Sequence, residues 1–330
     1  MNIVKKIGYS ALAGSLVAFS AQAVEMSVSG SAKITYENTD QSEVTGNPYG
    51  MNTSMGFTGT GDVNGYETTL FITSADSVGG MSSASVSVNL GDMGMVHFDQ
   101  GVGKGGISTI DDKTPSAYEE VWDGLDAVAG TANALVGGGN SGVFVYSNTF
   151  YDTGLSIQYG KGASAANADD ASSGASSGSS WDFALTNSSM MDGMDMGFGY
   201  GKIANNAPGA NGDDIDEHMV AYINYTFANV TAGYTQSQIS VGTQGGQSEH
   251  GTGWGVAVNL MDNLSASYGE REVEHQNASA AHVTEDMEGM AVAYTMGSAK
   301  ITFQNNETGN NGGTNGTNDE STEIALSLSF

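Results

Sequence analysis

A strict alternation of side-chain character recurs from the first strand-like segment to the last residue. It narrows the possible folds more than any other feature. Val28, Gly30, Ala32, Ile34 and Tyr36 are small or apolar, while Ser29, Ser31, Lys33 and Thr35 between them are polar. The same rhythm returns at Ala84–Leu90, Leu155–Tyr159, Trp254–Leu260 and Ile324–Phe330. Successive side chains on an extended strand point to opposite faces, so each segment has one apolar face and one polar or small face.

The connections alternate as well. Short turns are expected at Gly59–Gly65, Gly91–Gly94, Asn148–Thr153, Asn187–Asp195, Phe227–Asn229, Met261–Asn263 and Thr295–Gly297. Long loops are expected near 38–49, 74–82, 100–141, 160–180, 201–216, 237–252, 270–286 and 305–321. Short and long connections in turn imply sixteen antiparallel strands, turns at one end and loops at the other. The expected fold is all-β, a closed transmembrane antiparallel β-barrel. A soluble sandwich would need large apolar residues on facing sheets, and open sheets seldom reach this strand number. Here the second face is Ser, Thr, Asn, Gln and Gly, which suits a wet lumen. The apolar face then meets lipid, and closure removes every unpaired edge. Tyr36, Tyr66, Tyr159, Tyr200, Tyr225, Tyr268 and Tyr294 lie near strand ends, where amphipathic rings form an interfacial girdle.

Composition excludes several classes. The formal charge is −28, with 37 acids against 9 Lys and Arg, so no basic face exists to neutralise nucleic-acid phosphates. With no Cys there is neither a disulfide framework nor a thiolate metal site. At the N-terminus, Lys5 and Lys6 precede an apolar stretch from Ile7 to Phe19 and the sequence Ala21-Gln22-Ala23. This pattern reads as a signal peptide over 1–23, leaving a barrel domain over 24–330. Cleavage removes two Lys and no acid.

Four features resemble the sixteen-stranded general diffusion porins of Gram-negative bacteria. The first strand follows the expected cleavage site almost at once. The chain ends on Phe330, with Leu328 and Leu326 at the same parity, similar to the C-terminal signal read by the barrel-assembly machinery. Residues 140–159 are similar to that family's strand–turn–strand after its inner loop, and residues 90–101 to the turn and strand before it. The resemblance implies an outer-membrane homotrimer surrounded by lipid and lipopolysaccharide, passing small hydrophilic solutes. It also implies that the third loop, 100–141, folds inward and narrows the pore. That loop holds Asp111, Asp112, Glu119, Glu120, Asp123 and Asp126 against Lys104 and Lys113. Ser116–Leu125, after Pro115, reads as a short helical piece. Ala117, Trp122 and Leu125 are positioned to pin it to the wall.

In relatives the loop acids face a basic cluster on the opposite wall. Inward parity here offers only Lys33, Arg271 and Lys300, with Lys33 and Lys300 close together on either side of the last strand. Acid excess at a constriction attracts cations and repels anions, so a cation-preferring pore is expected. No cofactor is expected. Acidic loop clusters such as Asp213-Asp214-Ile215-Asp216 offer hard oxygen ligands for Ca²⁺, without EF-hand spacing. The remaining acids are expected mainly in outer loops. The five His are scattered, and no Ser–His–acid or paired-acid constellation with supporting context is read, so no enzyme is expected. A substrate-selective channel would show a basic or aromatic row along the lumen, and there is no Arg ladder. Adhesion or receptor function through the long loops is compatible with the same barrel.

Overall fold

The computed structural model describes residues 25–39, 47–75, 82–103, 105–111, 113–125, 141–160, 179–204, 215–242, 246–277 and 281–330. The expected signal peptide, Lys104, Asp112, Asp126, Asp213 and Asp214 lie outside them. Sixteen strands form one sheet. They are β1 Glu25–Thr39, β2 Tyr49–Val63, β3 Tyr66–Ala75, β4 Ser83–Asn89, β5 Met95–Gln100, β6 Ser141–Phe150, β7 Thr153–Gly160 and β8 Ser180–Asn187. The second half comprises β9 Met194–Ala204, β10 Ile215–Phe227, β11 Val230–Ser240, β12 Gln247–Met261, β13 Leu264–Asn277, β14 Val283–Met296, β15 Ala299–Gly309 and β16 Asn318–Ser329. Each strand pairs with its sequence neighbour, and β1 pairs antiparallel with β16, closing the barrel. The fold class expected from the alternation is the one found.

Register carries the inward face from strand to strand, here from β2 to β10. Starting from Thr60, the row passes through Thr69, Ser87, His97, Val145, Gln158, Asp182, Gly201 and His218. The opposite parity puts Val28, Met51, Leu70, Phe144, Phe198, Ile223, Val256, Met290 and Ile301 outward, all substantially exposed, as a lipid-facing band requires. The girdle tyrosines follow the same parity. Tyr66, Tyr225 and Tyr294 lie at the turn end, and Trp254 packs on Tyr268 with centroids 5.8 Å apart toward the other end. Of the five two-residue turns, Asn64-Gly65 and Tyr151-Asp152 place both central residues at positive φ, which matches the twist of flanking strands.

Closure rests on the chain's ends. Phe330 N–H donates to Gly30 O at 2.9 Å, and Gly30 N–H donates to Phe330 O at 2.7 Å. The terminal ring lies where a Cβ on Gly30 would be, so the glycine makes room for it.

Two expectations need correction. Three connections expected to be long are short, because β11 and β12 leave only 241–246, β13 and β14 only 278–282, and β15 and β16 only 310–317. These strands continue past the apolar band with polar residues on both faces. Backbone ladders need no apolar side chain, so the sheet persists after its periodic signal has faded. Consequently many acids are on strands rather than in loops. Outward-facing Glu270, Glu288, Glu307 and Glu320 even pair in one cross-strand row.

Candidate functional site: the loop-narrowed lumen

The segment between β5 and β6 enters the barrel and runs along the inner wall. At its start, Asp99 is fully buried and its Oδ1 accepts the Val102 N–H at 2.6 Å. His97 links Asp99 (Nε2 to Oδ2, 3.4 Å) to Ser87 (Nδ1 to Oγ, 2.6 Å). The sequence reading had not joined these three residues, which sit on adjacent strands at inward parity. Asp99's other oxygen, spent on the loop backbone, gives the trio a structural task.

A 3₁₀ turn, Gly106–Thr109, then docks on β7, β8 and β9. Ile107 N–H donates to Asp182 Oδ1 at 2.7 Å and Gly106 N–H to Ser156 Oγ at 2.9 Å. Ile107 and Ile110 are buried with Ala184, Val220 and Tyr222, an apolar seat inside an otherwise polar lumen. Gly106 has φ of +60°, and a side chain there would strike the Asp182 carboxylate, so a glycine is required. Val143 and Val145, apolar at inward parity on β6, are buried, with Val145 beneath Gly105.

Beyond Lys113 wall side chains hold the backbone, with two turn bonds of its own, Asp123 N–H to Glu120 O at 3.1 Å and Leu125 N–H to Trp122 O at 3.3 Å. Asn224 Nδ2 donates to Lys113 O at 2.7 Å, Lys300 Nζ to Ala117 O at 3.3 Å, and Gln304 Nε2 to Glu120 O at 2.6 Å. Asn306 Nδ2 reaches Glu120 O at 3.1 Å and Asp123 O at 2.8 Å. These carbonyls are the ones a helix would use internally. Ser116–Leu125 is accordingly a series of bends and turns, contrary to the helical expectation. Of the three expected pins, Trp122 and Leu125 pack against Val273 and Met287, and Ala117 N–H donates to Ser267 Oγ at 2.9 Å.

Among its described residues the loop contacts the wall from β5 round to β1, and β2, β3 and β4 complete the circle. Those three strands carry no Lys or Arg, and their inward side chains include Ser54, Thr58, Thr60, Thr69, Ser85 and Ser87. Among the described residues, Asp111, Glu119, Glu120 and Asp123 are the loop's acids. Glu37 and Glu323, on β1 and β16, join them. Both face inward as register partners of each other, and a Cβ on Gly124 would approach Glu37 Oε1 at 3.6 Å. The sequence reading missed these two wall acids, although Glu37 shares the parity of Lys33, and Glu323 that of Ser327.

Lys33, Lys300 and Arg271 lie under the loop instead of across from it. Lys33 Nζ is 4.0 Å from Glu119 Oε1, both side chains being about one-third exposed. Lys33 and Lys300 are both register partners of Ser327, which explains their proximity. Arg271 is 2% exposed, stacks 5.0 Å from the Trp122 ring centroid and donates to Ser237 Oγ at 2.7 Å. It belongs to the packed wall rather than the open mouth. Burial pushes the Asp111 carboxyl up to about 6, with Glu120 adding to the rise. Asp123 is likewise pushed up to about 6 by burial, then by Glu119 and Glu323.

No family model matches the chain, and no curated protein sequence matches it. Solved structures share its fold. OmpT, an outer membrane protein of Vibrio cholerae, superposes with a TM-score of 0.68 at 12% identity, covering 94% of this chain and 99% of that one. An anion-selective porin from Comamonas acidovorans gives 0.63 at 10% identity, covering 93% and 100%. The outer membrane channel DcaP of Acinetobacter baumannii gives 0.62 at 12% identity, covering 93% and 97%. The sixteen-stranded barrel is therefore the architecture of known outer-membrane porins.

Proposed function

We propose that the chain forms a water-filled channel across the outer membrane of a Gram-negative bacterium, through which small hydrophilic solutes diffuse passively with cations favoured. A barrel of sixteen strands leaves an aqueous lumen, and the loop narrows it. The observation that carries the preference is the charge lining the narrow zone. Among the described residues, four loop acids and two wall acids meet one loop base, Lys113, and three wall bases, each of which is already engaged by the loop. Strands β2–β4 carry no Lys or Arg, so they add no positive charge to the lining. The fold itself sets no sign, since one structural neighbour is named an anion-selective porin.

A homotrimer agrees with this reading. A trimer form of the Vibrio cholerae protein is among the structural neighbours, and β1–β5 present outward Met, Val, Leu and Gly for contact between copies. Proteoliposome swelling tests the channel itself. A cationic solute such as lysine should enter faster than a neutral sugar of similar size, and glutamate more slowly. Equal exclusion of all three would refute the proposal.

A further inference from the structure

Tyr118 carries no charge, yet it touches Lys33, Lys300 and Glu323 where β15, β16 and β1 meet. Its hydroxyl donates to Glu323 Oε1 at 2.6 Å and accepts from Lys33 Nζ at 3.2 Å. The Lys33 ammonium is 5.6 Å from the centre of its ring, and the Lys300 ammonium 5.4 Å. Lys300 is held further by the carbonyl of Ala117, the residue before. Both distances lie within the range at which an aromatic quadrupole attracts a cation. One ring therefore gathers two ammonium groups that otherwise repel each other.

Lysine has a long flexible stem, and an unheld ammonium extends toward water. On this wall the water is the passage. Four residues further along the loop, Trp122 treats Arg271 in the same way. All three wall bases are thus drawn against the underside of the loop by aromatic rings. The acids Glu119 and Asp123, from the same stretch of loop, are half-buried, and the Glu119 side chain keeps 38% exposure.

We propose that Tyr118 is a specificity-determining residue of the channel, withdrawing Lys33 and Lys300 from the passage so that the lining acids set its sign. The inference rests on the cation-preferring reading above. It makes selectivity depend on an uncharged side chain, and it predicts coupling between that side chain and two lysines.

The test is the reversal potential of purified channels in a KCl gradient at pH 7.5, for wild type, Tyr118→Phe, Tyr118→Ala, Tyr118→Ala with Lys33→Gln and Lys300→Gln, and the two Lys→Gln changes alone. Tyr118→Ala should lower the cation-to-anion permeability ratio by about twofold or more, because a potential change of even half of kT alters that ratio by this order. Tyr118→Phe, which keeps the ring, should lower it less. Removing both lysines should raise the ratio more in the Tyr118→Ala background than in wild type. An unchanged ratio in Tyr118→Ala, or an equal effect of the lysine changes in both backgrounds, overturns the inference. A loop merely loosened by the mutation would raise conductance without that coupling. If Tyr118→Ala gives no heat-modifiable barrel on SDS gels, Tyr118→Leu replaces it, with similar bulk and neither ring nor hydroxyl. An anionic sign in wild type refutes the cation reading, whereas the comparison between variants still decides the role of Tyr118.

Discussion

Acidification should weaken the cation preference in a defined window. The Asp111 and Asp123 carboxyls are pushed up to about 6, well above ordinary aspartate, because both are half-buried and face other carboxylates. Each is then about 3% protonated at pH 7.5 and about 90% at pH 5, so the narrow zone loses roughly 1.7 negative charges. A unit charge roughly 8 Å from a permeating ion contributes about 0.5 kcal/mol in water, and salt near 0.1 M halves this. Losing those charges therefore costs a cation about 0.4 kcal/mol and spares an anion the same, an approximately fourfold fall in the permeability ratio. The sign for the loop's seat runs the other way, and only between the ordinary aspartate value and about 6. Burial raises both carboxyls, so their neutral forms favour the docked loop; docking is strongest below about pH 4, weakens as pH rises to about 6 and is level above it. Acid should thus lower selectivity without enlarging the channel. Reversal potentials recorded from pH 7.5 to 5 measure the step, and Asp111→Asn with Asp123→Asn should flatten it. A flat wild-type profile, or a step of equal size in the double variant, refutes the reasoning.

Other perturbations probe the loop's seat and the barrel's seam. Asp182→Ala leaves the buried Ile107 N–H without its acceptor, costing about 1–3 kcal/mol, and single-channel recordings should show a larger, noisier conductance. Trp122→Ala strips the cover from Arg271, Val273 and Met287 and should raise conductance too, since truncating a packed Trp costs up to about 3 kcal/mol or more. Gly30→Val drives a side chain into the Phe330 ring, whereas nothing lies within 4 Å of a Cβ on Gly59; the heat-modifiable fraction on SDS gels should fall for Gly30→Val and hold for Gly59→Ala.

The barrel was legible because lipid on one side and water on the other force a period of two, which survives in every spanning segment. Turns were legible for a similar reason: Asn64-Gly65 and the Gly91–Gly94 connection interrupt that period with residues suited to positive φ. The upper ends of β11–β16 were not, because above the membrane both faces are polar and the alternation carries no contrast. The inner loop was partly legible. Its acids and its apolar pins could be read, but its conformation depends on Asn224, Gln304 and Asn306, more than a hundred residues away in sequence. Glu37 and Glu323 share the inward parity of Lys33 and Ser327, but alternation alone does not show that the two acids face each other across the barrel's seam. The placement of the wall bases under the loop followed from ring contacts that no sequence pattern marks.

The central claim is that an acid-lined loop, seated inside a sixteen-stranded barrel, makes a cation-preferring channel. The direct test is planar-bilayer recording of the purified, folded protein across a tenfold KCl gradient at neutral pH. The account predicts stepwise conductance and a reversal potential of cationic sign. A silent bilayer, or a reversal potential of anionic sign, would contradict it.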